Sequence, residues 1–272
     1  MGGSGGERVI EFALNYSQPA ADLVRDGAIE IDRFKCPDWQ HVIDDAAKLR
    51  PTYVHFPLSA NRTEGLQVNL DAIDAMSRAT STPFINLHLS PQTKDFVGWS
   101  DDAIEGRLID DVNRLIDRFG KSRVMIEMVP FGNPEEGFFQ PAAEPPLIRR
   151  IVERTGCGLL LDLSHARITA RVLGKDERAF LDAMPVEHLR ELHVTGLGFI
   201  GPILKDHLPM TDPDWIMFEW ALDRIRSKQW ATPWCIACEY GGVGELFRKY
   251  SDRDVMLRDI PRMSAMVSAV TT

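Results

Sequence analysis

Seven of the 272 residues are histidines, and His55, His88, His165 and His193 fall at or just beyond short apolar runs. Carboxylates take matching places: Glu127 in the run 124–129, Asp162 in 158–163 and Glu239 in 234–240. The loop after residues 189–194 adds Asp206 and His207. Imidazole nitrogen and carboxylate oxygen suit Zn, Fe or Mn, and no cysteine is placed to join them. Glu127, Asp162, Asp206 and Glu239 would bring four carboxylates into one mouth. At about 5 Å and an effective dielectric of about 20, each like-charge pair costs roughly 3 kcal/mol. Such a cluster takes up protons or cations, and interleaved neutral imidazoles favour two or three divalent ions. The expected ligand pool is His55, His88, Glu127, Asp162, His165, His193, Asp206, His207 and Glu239. Asp206 and His207 are also candidate catalytic residues, Asp206 as a base beside the ions.

A rim of this kind requires parallel strands that all end on one side. Eight β-type runs can be marked, at residues 9–15, 28–34, 53–58, 84–89, 124–129, 158–163, 189–194 and 234–240. Most are rich in Ile, Val, Leu or Phe, as strands buried on both faces are. Ser100 reads as an N-cap before Ile104, Leu108, Val112, Leu115, Ile116 and Phe119. Thr211 to Asp214 reads as a variant capping box before Trp215, Phe218, Leu222 and Ile225. Segments 37–49, 66–78, 145–154 and 175–184 also read helical, and helical signals recur after Gly244. The alternation predicts an α/β chain folded as a (β/α)8 TIM barrel, with its chemistry at the C-terminal ends of the strands. A doubly wound sheet is the alternative, but no G-x-G-x-x-G follows the first run. No composition break marks an internal linker, so residues 7–272 read as one catalytic domain behind a flexible Gly/Ser linker at 1–6.

Side-chain alternation sharpens the site. Asn86, His88 and Ser90 share one face of their run, as do Met125 with Glu127, and Cys235 with Ala237 and Glu239. Leu87, Leu89, Ile126 and Ile236 take the opposite face, toward the helices. Cys235 and Cys238 form a C-x-x-C, yet three positions apart on a strand they face opposite ways and cannot pair. His188 belongs near the opposite rim and His41 on a polar helix; both are read as structural. Asn15, Asp32 and Lys35 close the first two runs and either line the pocket or make surface salt bridges. Gly241, Gly242 and Gly244 after Glu239 read as a tight turn or an anion nest. Trp99, Phe138 and Phe139 are expected to wall the substrate.

Lys and Arg number 31 against 40 Asp and Glu, a net charge of −9 that makes a poor general nucleic-acid binder. The chain has no run of about 18 apolar residues and no visible export signal. Its four cysteines form no disulfide framework. A cytoplasmic protein with neither a nucleic-acid nor a membrane partner is expected.

The order Asn86-Leu87-His88-Leu89-Ser90, Ile126-Glu127-Met128, Leu161-Asp162-Leu163-Ser164-His165, Glu191-Leu192-His193-Val194-Thr195-Gly196, Asp206-His207 and Cys238-Glu239-Tyr240 resembles the xylose-isomerase-like barrel superfamily. Within it, the chain is most similar to the multinuclear non-haem iron-dependent oxidative enzymes. His193-Val194-Thr195-Gly196 resembles their H-x-x-G. The stretch from Asp206 to Trp215, followed by Glu219-Trp220-Ala221-Leu222, resembles their loop and following helix. The resemblance implies two or three irons, O2 as co-substrate, and oxidation of cysteine residues in a ribosomally made peptide. It further implies a precursor peptide or small thiol as substrate and a partner protein that delivers the peptide. Two departures stand out. The loop Asp and His are adjacent here rather than separated by one residue, and Ser164-His165 replaces the family's frequent asparagines. The Asp-x-x-His form also resembles endonuclease IV, a metal-dependent phosphodiesterase of the same fold, though the net charge counts against a nucleic-acid groove. A sugar isomerase or epimerase would use Glu127 and Glu239 on one metal and leave histidines in surplus. A non-catalytic peptide-binding barrel would leave the ionisable cluster without a purpose.

Overall fold

A computed structural model describes residues 10–132 and 137–270. The linker expected at 1–6 and the start of the first run, Val9, lie outside the described residues. The strands are β1 (Glu11–Asn15), β2 (Arg33–Cys36), β3 (Thr52–Val54), β4 (Ser59–Ala60), β5 (Ile85–Leu89), β6 (Val124–Met128), β7 (Gly158–Asp162), β8 (Leu189–Val194), β9 (Gly196–Ile200), β10 (Ile203–Leu208) and β11 (Cys235–Cys238). The helices are α1 (Gln18–Arg25), α2 (Gln40–Ala47), α3 (Leu70–Ala79), α4 (Asp101–Phe119), α5 (Pro145–Thr155), α6 (Leu163–Val172), α7 (Glu177–Ala183), α8 (Asp212–Arg226), α9 (Glu245–Arg248) and α10 (Arg253–Ser268).

Nine strands pair in the order β3, β2, β1, β11, β8, β7, β6, β5, β4. Their pairings are parallel throughout. β3 and β4 sit at opposite edges yet belong to one passage of chain, so residues 55–58 join the edges and the sheet closes as a TIM barrel. Side chain and backbone share that seam. The Phe56 amide donates to Asn86 Oδ1 at 2.8 Å, and Asn86 Nδ2 donates back to the Phe56 carbonyl at 2.9 Å. The predicted third run is therefore one strand position broken in the middle, and His55 stands at the break.

Leu87, Leu89, Ile126 and Ile236 pack between sheet and helices, while Ala13, Tyr53, Cys235 and Ala237 cluster separately inside the barrel. Cys238 joins the outer layer and Cys235 the inner one, so the two thiols face opposite ways, and both are free. Ser100 Oγ caps α4 by accepting the Ala103 amide at 3.2 Å, and the Asp214 carboxylate accepts the Thr211 amide at 2.8 Å ahead of α8. No helix among the described residues is long and apolar enough to cross a membrane.

Three local readings change. The second strand begins at Arg33 rather than at residue 28: ahead of it the exposed Asp32 accepts the Phe12 amide through its side chain at 2.7 Å in place of a ladder bond. Lys35 consequently lies within the strand, opposite Asn15 and Tyr53. Residues 163–172, unassigned from periodicity, form α6, whose N-cap is Asp162. A hairpin that the sequence did not announce, β9 with β10, rises from the rim directly after β8.

The hairpin register slips by one residue between Lys205 and Leu208, and His207 sits there with φ +57°. Such a left-handed residue inside a bulge re-aims the side chains around it. Gly196 makes the bend possible. A Cβ on it would stand 1.9 Å from the Pro209 carbonyl oxygen, whereas a Cβ on Gly198 meets only the flexible Leu208 Cδ1 at 2.7 Å. Gly196→Ala is expected to destabilise the protein by about 1–3 kcal/mol, the usual cost of overpacking, and Gly198→Ala by less. Urea unfolding midpoints compare the two; equal losses would refute the role given to the Pro209 contact.

Candidate metal centre

The strand ladder brings the ligand-type residues together in pairs. His88 lies opposite Glu127 in the β5–β6 register, and Asp162 opposite His193 in β7–β8. His55 enters from the seam and Glu239 from the residue after β11. His165 comes from the first turn of α6, and Asp206 and His207 from the bulged strand β10. All nine residues expected from the sequence thus converge on the C-terminal end of the barrel.

Glu127 is at the middle of the group. Its Oε2 is 3.2 Å from His88 Nε2 and 3.5 Å from His55 Nε2, and those two nitrogens are 3.1 Å apart. Its Oε1 is 3.4 Å from His165 Nδ1 and 4.0 Å from His193 Nδ1. His165 Nε2 lies 3.1 Å from Asp206 Oδ2 and 3.7 Å from Asp162 Oδ2. His193 Nδ1 lies 3.1 Å from Glu239 Oε1, and His207 Nε2 lies 4.0 Å from Asp206 Oδ2. Lys35, buried at the end of β2, is ion-paired with Glu239 Oε1.

Each imidazole except that of His55 is anchored by its other nitrogen. His88 Nδ1–H donates to the Leu58 carbonyl at 2.9 Å, His165 Nδ1–H to the Met128 carbonyl at 2.9 Å, and His207 Nδ1–H to the Glu239 carbonyl at 2.7 Å. His193 Nε2–H donates to Glu191 Oε1 at 2.7 Å. In a neutral ring the second nitrogen then keeps its lone pair. These lone pairs face carboxylate oxygens, acceptor against acceptor. Asp162 is divided the same way: Oδ1 accepts the Ser164 and His165 amides at 2.6 and 2.9 Å, while Oδ2 is left over. His55 Nδ1, Glu127 Oε2, Asp162 Oδ2 and His193 Nδ1 are buried without a hydrogen-bond partner among the described residues. Buried polar atoms are normally paired, and a cation between them supplies the missing partner.

The protonation pattern agrees. Burial pulls His55 well below the ordinary imidazole pKa. Burial also opposes charge on His165, but Asp162, Asp206 and Glu127 outweigh it and raise this ring to about 10. Burial works to raise Glu127, yet His88, His55 and His193 hold it well below the carboxylate range. Asp206 likewise ends below that range, chiefly through His165 against the opposing effect of burial. Without metal, protons do the work that a cation would do. Three donor groups can hold ions: His55 with Glu127 and His193, Glu127 with Asp162 and His165, and Asp162 with His193 and Glu239; within each, the donor atoms lie within 4.8 Å of one another. These are nitrogen and oxygen sets suited to Zn, Fe or Mn.

Above the cluster opens a cavity of about 520 Å³. Tyr16, Trp39, Val243 and Phe247 form much of its apolar wall, and Gly241 to Gly244 its edge. Trp99, Phe138 and Phe139 do not line it: Trp99 packs edge-on against Phe96 at 5.3 Å and Phe139 is buried in the outer layer. Asn15 and Lys35 reach the cavity; Asp32 is used by Phe12 instead. His188 precedes β8 at the opposite end of the barrel, and His41 stacks on Trp39.

A closed parallel barrel with ligand-type side chains on its C-terminal rim defines a class of TIM barrels built around a candidate metal centre. Two solved structures share the fold. A D-tagatose 3-epimerase-like protein is 11% identical, with a TM-score of 0.58 over 94% of this chain and 98% of that one. Endonuclease IV from Thermus thermophilus is 13% identical, with a TM-score of 0.52 over 94% and 98%. Within that class, residues 107–232 match the family described as RiPP precursor modification enzyme MbnB/TglH/ChrH, which bears out the resemblance drawn from the motifs. A UPF0276 protein of a Caulobacter species is 26% identical over 124 residues, covering 44% of each chain. The match thus spans less than half of that relative's length.

Glu191 is the residue that the sequence reading passed over. It is fully buried below the centre, and it accepts from Tyr53 Oη at 2.7 Å, Trp234 Nε1 at 3.1 Å and His193 Nε2 at 2.7 Å. Its signal was present: it stands two residues before His193 on a strand and so shares its inward face. A carboxylate behind a ligating histidine fixes the ring and its tautomer. Glu191→Gln is expected to weaken metal binding about 10–100-fold while the metal-free barrel stays folded. Metal titration alongside circular dichroism checks this; unchanged affinity would remove Glu191 from the site.

Proposed function

We propose that this chain is a multinuclear non-haem iron, O2-dependent oxidase that modifies cysteine residues of a ribosomally made peptide. One observation carries the metal centre: ring nitrogens and carboxylate oxygens converge around Glu127, and His55 Nδ1, Glu127 Oε2, Asp162 Oδ2 and His193 Nδ1 are left buried without a hydrogen-bond partner among the described residues. The family match over residues 107–232 supports the peptide substrate. His55, Glu127, Asp162, His165, His193 and Glu239 would hold the ions, with His88 beside Glu127 completing the set. Iron, when bound, supplies one-electron chemistry toward O2 and a Lewis-acidic position for a thiolate.

The remaining work belongs to the chain. His207 takes the thiol proton. Its Nδ1–H is committed to the Glu239 carbonyl, so Nε2 keeps a lone pair at the cavity wall. Burial, opposed by Asp206, lowers its pKa and keeps the ring neutral and ready to accept. Asp206 Oδ2 lies 4.0 Å from that same Nε2 and steadies the imidazolium once formed. Trp39 and Phe247 cover the thiol and exclude water, and Phe247 packs edge-on against the His207 ring at 4.9 Å. A precursor peptide or small thiol is the substrate, brought by a delivering partner protein in the cytoplasm, and residues 7–272 act as one catalytic domain. A phosphodiesterase is less well supported, because Lys35 is the one Lys or Arg among the described lining residues and it is bonded to Glu239.

Protein purified without air is expected to carry iron, and Glu127→Gln to lose it, by elemental analysis. O2 uptake is expected only with a cysteine-containing peptide or thiol. His207→Ala should keep its metal and slow that uptake about 10²–10⁴-fold, the usual worth of a positioned acid or base. Zinc alone after iron-supplemented expression, or O2 uptake indifferent to thiol, would sink the oxidase reading.

A further inference from the structure

The number of ions is written in a residue that is not a ligand. Lys35 is 5% exposed, and its Nζ is bonded to Glu239 Oε1 inside the barrel mouth. That oxygen also faces the orphaned His193 Nδ1 at 3.1 Å. Glu239 completes only one of the three donor groups, the one with Asp162 and His193. The ammonium therefore stands at the charge position that an ion in this third group would fill. Formal charge agrees. Glu127, Asp162, Glu191, Asp206 and Glu239 bring five carboxylates, and Lys35 returns one positive charge. Four negative charges remain, which two divalent ions neutralise. A third ion would sit beside an ammonium buried in a low-dielectric interior, where like charges repel most strongly.

We propose that Lys35 is a built-in cation of the centre, holding Glu239 and standing in for a third divalent ion, so that the chain binds two metal ions. This rests on the metal-centre reading above and deepens it. The backbone favours the arrangement: Lys35 is fixed by ladder pairing on both sides, to Asn15 and to Tyr53, so its stem enters the mouth from a rigid strand.

The test is a count of bound ions in the full chain. Metal-free protein is loaded with ferrous iron under nitrogen, desalted and analysed for iron per chain. Wild type is expected to hold two. Lys35→Gln, which frees Glu239 and removes the repulsion, is expected to hold three. Glu239→Gln is expected to stay at two, and it decides the matter if Lys35→Gln does not fold. Three ions in wild type, two in a folded Lys35→Gln, or one in Glu239→Gln would overturn the proposal while leaving a metal centre in place. No bound iron in wild type would overturn the metal-centre reading itself, and this proposal with it.

Discussion

Acceptor facing acceptor is the constraint on which the rest of this structure depends. Four histidines spend one N–H on a carbonyl or on Glu191, and each then points its other nitrogen toward carboxylate oxygen, where only a proton or a cation can relieve the contact. Such an arrangement is costly when dry and empty, since buried polar atoms without partners lose their hydration and gain nothing. The barrel tolerates it because every participant hangs from a strand, a helix cap or a pinned bulge. A loop-built site would relax until the oxygens and nitrogens turned away.

The supporting residues show how that rigidity is layered. Below the centre, Tyr53 and Trp234 donate to Glu191, which in turn holds His193. Lower still, the Arg33 guanidinium lies 5.8 Å from the Trp234 ring and pairs with Glu11. Polar support thus continues through the barrel interior to its opposite end, while the apolar mass of the protein sits outside the sheet. This division differs from a barrel filled by aliphatic layers. The inner space is given over to holding imidazoles at fixed angles.

Much of this was legible in the sequence, because strand alternation has a period of two and needs no tertiary knowledge. His88, Glu127, His193 and Glu239 follow from it directly. His165 was placed beside the right strand end but assigned no helix; Asp162 works both as an N-cap and as a site carboxylate, and periodicity reports neither role. The adjacency of Asp206 and His207 was unreadable, since neighbours on a strand face opposite ways unless a bulge intervenes. The aromatic wall was misassigned to Trp99, Phe138 and Phe139 because the direction a loop takes depends on packing far from it, and Trp39 and Phe247 line the mouth instead. The break between β3 and β4 also left no mark, as apolar character runs on through residues 56 and 58.

That break has a consequence for how the molecule closes. At the seam, closure relies on Asn86 and on the short β4 pairing to β5. His55 stands on the gap itself and His88 on the strand across it, with their Nε2 atoms 3.1 Å apart. His55 belongs to one of the candidate donor groups, so a metal ion held there would brace the barrel where β3 breaks from β4. By mass action, anything that binds the closed joint and not the open one favours closure. Loading such a centre and sealing the wall of the barrel would then be one equilibrium.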